Sequence, residues 1–241
     1  MKKRLVITDL TRMQQGHVCI CGYDKEHTCV RPILLHGIPE TSLVKDGKPV
    51  IFPFALVEFD FLSPRPEPPH TEDYFYISSS PVFIQRVANS QKVLDWSVFE
   101  TLEDIFEQPV LTDAGFSVMD GQGPRSVGTI RPKNIEKIIY ESGLEGTWDY
   151  RIEFTDSLGM RYRLKITDLT WHYYCNNQRG EFSNPDACSA EMARMLNGKN
   201  VYLRIGLSRG WKKFPERCFL QVNGIHTFPD YLDGKTFVDF Y

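Results

Sequence analysis

No run of about 18 apolar residues occurs anywhere in the 241-residue chain, so no helix of it is expected to span a bilayer. The opening MKKRLVITDL has a basic patch, but Asp9 interrupts its short apolar stretch, and it reads as a first strand and not as a signal peptide. Six cysteines without a signal point to reduced thiols and a cytoplasmic setting. Phosphate-loop, dinucleotide-fingerprint, HExxH and GxSxG motifs are all missing, which speaks against the common nucleotide hydrolases and metalloproteases. No cysteine pair has zinc-ribbon spacing, so neither a metal nor a cofactor is expected. The net charge of −3 removes any claim of polyanion affinity for the molecule as a whole.

What the chain does have is alternation. Thr129–Tyr140, Trp148–Thr155 and Met160–Thr170 alternate apolar with polar residues, as half-buried strands do. Asp156-Ser157-Leu158-Gly159 supplies a turn between the last two. Asn184-Pro185 opens a helix and Asn197-Gly198 closes it. Val201–Leu207 and Cys218–Asn223 follow as strands. Strand, strand, strand, helix, strand, strand is the element order of an OB barrel, a small fold that mostly binds on one face.

The first half is also strand-rich: Arg4–Thr11, His17–Tyr23, Cys29–Leu35, Phe52–Leu62, Tyr74–Ile77 and Val82–Val87. A helix is expected over Gln91–Phe106, where Leu94, Val98, Leu102 and Ile105 recur at helical spacing. Ser63–Pro69 holds four prolines in seven residues and has to be an exposed connector. Gly121, Gly123, Pro124 and Gly128 mark a boundary that divides the chain into 1–124 and 125–241. The first part carries 11 Lys/Arg against 17 Asp/Glu, the second 17 against 14, so the basic half is the one with the OB order. Ile-Thr-Asp-Leu-Thr occurs twice, at Ile7–Thr11 and Ile166–Thr170, each time near a strand end. Arg-Pro recurs at Arg31-Pro32 and Arg131-Pro132, but the two echoes share no period, so a tandem duplication does not follow.

The stretches ITDLTRM (Ile7–Met13), CVRPI (Cys29–Ile33), PFALVEFDFL (Pro53–Leu62), PPHTED (Pro68–Asp73) and CFLQVNGIHTFPDYL (Cys218–Leu232) resemble a bacterial family described as a dual OB-containing domain. The resemblance covers nearly the whole chain. It implies two OB-like barrels and a role in binding nucleic acid or another ligand, and it brings no catalytic residues with it. The expected fold class is therefore mainly β, with two OB-like five-stranded barrels, each accompanied by a helix.

Arg204–Cys218 is the strongest functional candidate. Arg209, Lys212, Lys213 and Arg217 occupy a loop with Trp211 and Phe214 between them, where the fourth and fifth barrel strands connect. Cations there would track phosphates and the rings would stack bases; the plain alternative is a solubilising turn whose Trp covers the barrel end. Arg161 and Arg163, with Lys165, alternate along one strand face, as a phosphate track or as edge protection. Tyr173, in the aromatic run Trp171–Tyr174, either stacks a base or helps close the core. His70, Glu72 and Asp73 gather an imidazole and two carboxylates, which could bind a divalent metal or act as acid and base, and with His226 make an alternative polar site; the plain alternative is a hydrogen-bonded cap. Cys19, Cys21 and Cys29, near His17 and His27, read as strand cysteines and not as a zinc site, since C-x-C-x7-C lacks a knuckle.

The sequence thus points to non-catalytic binding of single-stranded DNA or RNA through the basic aromatic face of the second half, with no membrane partner. A small-ligand-sensing or protein-interaction module, whose acidic half docks a basic partner, is the alternative. An enzyme using His70, Glu72, Asp73 and His226 is the third reading.

Overall fold

The computed structural model describes residues 1–142, 148–179 and 184–241. Its first barrel is built from β1 (Lys2–Arg12), β2 (His17–Tyr23), β3 (Cys29–Ile33), β4 (Ala55–Pro64) and β5 (Asp73–Tyr76). The strands close in the order β1-β2-β3-β5-β4-β1, with β3 and β5 parallel and every other neighbour antiparallel. In β4 the period of two is plain: Ala55, Val57, Phe59 and Phe61 are buried while Leu56, Glu58 and Asp60 are half-buried. Glu58 and Asp60 face the start of β1, where Lys2, Arg4 and the terminal amine pair with them. An edge strand, β6 (Val82–Arg86), pairs with β4.

The linker holds two short helices, α1 (Ser90–Asp95) and α2 (Leu102–Phe106), where one continuous helix was expected over Gln91–Phe106. The break has a cause. Val98–Phe99 leave the helix to pair in parallel with Thr129–Ile130, and a capping box between Thr101 and Asp104 starts α2 afresh.

The second sheet and its helices comprise β7 (Val127–Ile130), β8 (Asn134–Ser142), β9 (Trp148–Thr155), β10 (Arg161–Ile166), α3 (Leu169–Gln178), α4 (Pro185–Asn197), β11 (Asn200–Leu207) and β12 (Arg217–Phe228). The strand order is β8-β9-β10-β12-β11-β7, with β10 and β12 parallel. Pro132 cannot donate to a ladder and splits the expected strand Thr129–Tyr140 in two. One piece pairs with β11 and the other with β9. Asn184 caps α4 as expected, accepting from the Ala187 amide at 2.8 Å. The run Trp171–Tyr174, expected at a strand end, lies instead inside α3. Asp168 caps that helix through the amides of Thr170 and Trp171 and turns the chain after Ile166.

Two apolar cores result. The first takes side chains from β1–β5 and also Leu169 of α3 and Phe237 near the C-terminus. The second takes β8–β12, α3 and α4, together with Leu102, Ile105, Phe106 and Val118 from before the glycine-rich stretch.

Between the barrels sits Arg204, fully buried. Its Nε and Nη2 donate to the Asp9 carboxylate at 3.0 and 2.9 Å, and its Nη1 donates to Tyr23, Thr129 and Ser97 at 2.8, 2.8 and 3.2 Å. Gly224 stands opposite Arg204 in the ladder, and a Cβ there would lie 3.3 Å from the arginine's own Cβ. Removing one member of such a pair strands the other charge in apolar surroundings, at a cost of roughly 3–5 kcal/mol. Asp9→Ala and Arg204→Met are each expected to lose about that much in urea unfolding at neutral pH, and the double variant distinctly less than the sum of the two. Additive losses would show that the pair does not act as a unit.

Candidate nucleic-acid interface and the barrel junction

The loop Ser208–Glu216 joins β11 to β12. At its base the Arg209 guanidinium donates to the Asp73 carboxylate of the first barrel. At its tip Trp211 and Phe214 face each other edge-on with centroids 5.9 Å apart, and the Phe214 amide donates to the Trp211 carbonyl at 2.9 Å. Trp211 is 53% exposed. Lys212 and Lys213 are exposed and form no salt bridge among the described residues; Lys213 lies 5.3 Å over the Phe214 ring. Arg217, at the start of β12, forks onto Asp113 at 2.5 and 2.9 Å.

The strand cations are placed differently. Arg163 pairs with Glu141 at 2.6 Å and lies 3.8 Å from Glu153, its register partner on β9. Arg161 lies 3.7 Å from Glu136, and Lys165 pairs with Asp149 at 3.0 Å. The row does line one face, as the alternation predicts, but every cation in it already faces a carboxylate. Tyr173 is on α3 and away from both groups. Its hydroxyl donates to Glu40, and its ring packs on Phe237 and Tyr241.

His70, Glu72 and Asp73 lie at the junction between the barrels. Arg31 of β3 donates to Asp73 and, through Nη1, to the Ser126 hydroxyl at 3.0 Å. Glu72 accepts from the Ser126 amide and hydroxyl at 2.7 and 2.9 Å. Thr71 donates to the Pro124 carbonyl at 2.6 Å. The His70 ring is buried, and the Ser208 carbonyl faces it without reaching hydrogen-bond geometry. Burial first, then the Arg31 and Arg209 charges, push its imidazole down to about 2. His226 is elsewhere: its Nε2 donates to the Thr8 carbonyl at 2.8 Å and its ring meets Phe54. No hydrogen bond or ring contact among the described residues joins it to the 70–73 loop. Glu72, Asp73 and His226 thus join barrel to barrel, whereas the buried His70 ring forms no hydrogen bond there.

The cysteine–histidine group of β2, β3 and the turn between them is likewise dispersed. His27 stacks on Trp96 with centroids 3.4 Å apart, His17 faces the Gln14 carbonyl, and Cys21 touches Cys29. Among the described residues no group of three or more His, Cys, Asp or Glu is placed to hold a metal ion. An open groove of ≈ 770 Å³ runs along α2, but Glu103, Asp104 and Glu107 line it, which makes it unsuited to an anionic ligand.

A family model described as dual OB-containing domain matches residues 3–225. The chain belongs to that family. A search of curated proteins finds no match. In this dual OB protein, sequence reasoning missed the two buried arginines, Arg31 and Arg204. The available signal was the pentapeptide echo. Asp9, in the first copy, binds Arg204; Asp168, in the second, caps α3 and accepts from the Ile225 amide at 2.8 Å. The copies even touch, through a Thr11–Asp168 bridge and a 2.7 Å bond from the Arg12 amide to the Thr167 carbonyl.

Burial pushes the imidazoles of His172 and His226 down to about 4. Unfolded, both take up a proton near pH 6.5, so from about pH 6.5 to 4 the unfolded chain binds more protons and stability is lost as the pH falls. His70 acts in the same direction. Asp168 opposes them: burial lifts its carboxyl to about 7 against three backbone donors, so its contribution falls as pH rises from about 4 to 7. Three imidazoles outweigh one carboxyl. The unfolding free energy is expected to drop between pH 7 and 4.5, by about 1.4 kcal/mol per pH unit for each net proton, lowering the urea midpoint, and His226→Gln should flatten the slope. A midpoint that rises on acidification would mean that Asp168 dominates.

Proposed function

We propose that this dual OB protein binds single-stranded nucleic acid, without catalysis, through the loop Ser208–Glu216 of its second barrel. One observation carries the reading. A largely exposed Trp211 stands beside two lysines that have no carboxylate partner among the described residues, in the loop that joins the fourth and fifth strands of an OB barrel. OB barrels grip single strands with this loop. Trp211 and Phe214 offer ring faces for bases, each stacked base being worth about 1–3 kcal/mol. Lys212 and Lys213 contact phosphates without first giving up an ion pair. Arg161 and Arg163 would have to exchange a carboxylate for a phosphate and gain little by it. Arg209 serves as the anchor that holds the loop to Asp73, and Arg217 is held by Asp113.

A protein partner is the second reading, favoured by β6. This edge strand exposes Val82, Phe83 and Ile84, and its outer edge pairs with no other strand among the described residues. Such an arrangement accepts an added strand.

Fluorescence anisotropy with labelled single-stranded and duplex DNA and RNA, over a salt series, tests the first reading. Single strands are expected to bind more tightly than duplexes. Trp211→Ala should weaken binding about tenfold. Lys212→Ala/Lys213→Ala should lower the slope of log affinity against log salt by about 1.4, the counterion release of two single-strand phosphates. Arg161→Ala/Arg163→Ala should change affinity less than about threefold. No binding of any strand at low salt, or full binding by the Trp211 variant, would sink the proposal.

A further inference from the structure

Cys21 is on β2 and Cys29 on β3, which pair antiparallel. Their positions are diagonal in the ladder: Tyr23 is the register partner of Cys29, and Cys21 precedes Tyr23 by two on the same face. The two sulfurs are 3.2 Å apart. Cys21 is buried and Cys29 half-buried. The hydrogen bond to Cys29, then burial, raise the Cys21 thiol well above its ordinary range. The remaining cysteines are differently placed. Cys175, Cys188 and Cys218 are closed off in the second core, and Cys19 lies two residues before Cys21, near Arg31.

We propose that Cys21 and Cys29 are a site of reversible disulfide formation, taking small-molecule disulfides such as oxidised glutathione as the oxidant. The half-buried Cys29, as thiolate after passing its proton to solvent, attacks one glutathione sulfur. The glutathione disulfide bond breaks, and one glutathione leaves as thiolate and is protonated. Cys21 then gives up its proton, its sulfur attacks that of Cys29, and the second glutathione leaves. Two protein thiols and one small disulfide thus become one protein disulfide and two small thiols. The sulfurs have only to close from 3.2 Å to about 2.05 Å. The new bond would form beside Tyr23, whose hydroxyl takes a hydrogen bond from Arg204, so the site adjoins the junction of the barrels.

The test incubates the full chain across a series of oxidised-to-reduced glutathione ratios, alkylates free thiols in denaturant and maps the peptides by mass spectrometry. The expected result is a linked peptide pair containing Cys21 and Cys29, lighter by two hydrogens, that appears before any other linkage and disappears with reductant. Cys29→Ser and Cys21→Ser should each abolish it. Six alkylated thiols after excess oxidant, a glutathione adduct that persists on Cys29, or a first linkage between other cysteines would overturn the proposal.

Discussion

A guanidinium in an apolar interior needs acceptors to offset its desolvation, and Arg204 finds them in both barrels. Asp9 comes from β1, Tyr23 from β2, Ser97 from the linker and Thr129 from β7. Five chain segments, counting β11 itself, have to arrive together before the charge is compensated. Its pairing with Asp9 contributes much less on balance than its loss would cost, since desolvation offsets most of the attraction. The pair therefore acts as a specification of how the barrels dock. Arg31 repeats the device nearby, between Asp73 on its own barrel and Ser126 at the start of the other.

This docking decides what the candidate loop can do. Arg209 emerges from β11 and is held by Asp73, the same carboxylate that holds Arg31. The first barrel thus fixes the base of a loop that belongs to the second. From that base the chain runs out to Trp211, Lys212 and Lys213 in solvent and returns through Arg217, itself forked onto Asp113. Anchors at both ends reduce the entropy lost when the tip closes on a ligand.

Much of the fold was legible because a half-buried strand writes its geometry into the sequence. Tyr150, Ile152 and Phe154 point inward while Arg151 and Glu153 do not, and helix α4 announces itself through Asn184-Pro185 and Gly198. Local pattern failed where a tertiary partner overrode it. Val98–Phe99 fit a helical spacing yet pair with β7, and Trp171–Tyr174 continue a strand-like run yet are drawn into α3 by the Asp168 cap. The candidate site was legible only in part, for a similar reason. Residue type shows that Arg161, Arg163, Lys212 and Lys213 are cations. Only register shows that Glu141 and Glu153 stand against Arg163, while no carboxylate among the described residues stands against the two lysines.

The charge pattern also sets the kind of binding this protein can support. With a net charge of −3 and an acidic first half, long-range attraction of a polyanion is weak, and a tract of paired cations on β10 does not restore it. If the proposed binding holds, affinity has to come from short-range contacts at one loop: two rings for stacking and two lysines not already held by carboxylates among the described residues. A protein so built depends on salt less steeply than one that covers its ligand with cations, because only a few counterions are released. In the proposed complex, stacking, which tolerates any base, would then contribute more than the phosphate contacts. On the proposed reading, discrimination between single and double strands has the same origin, since paired bases offer Trp211 and Phe214 no free face to stack on.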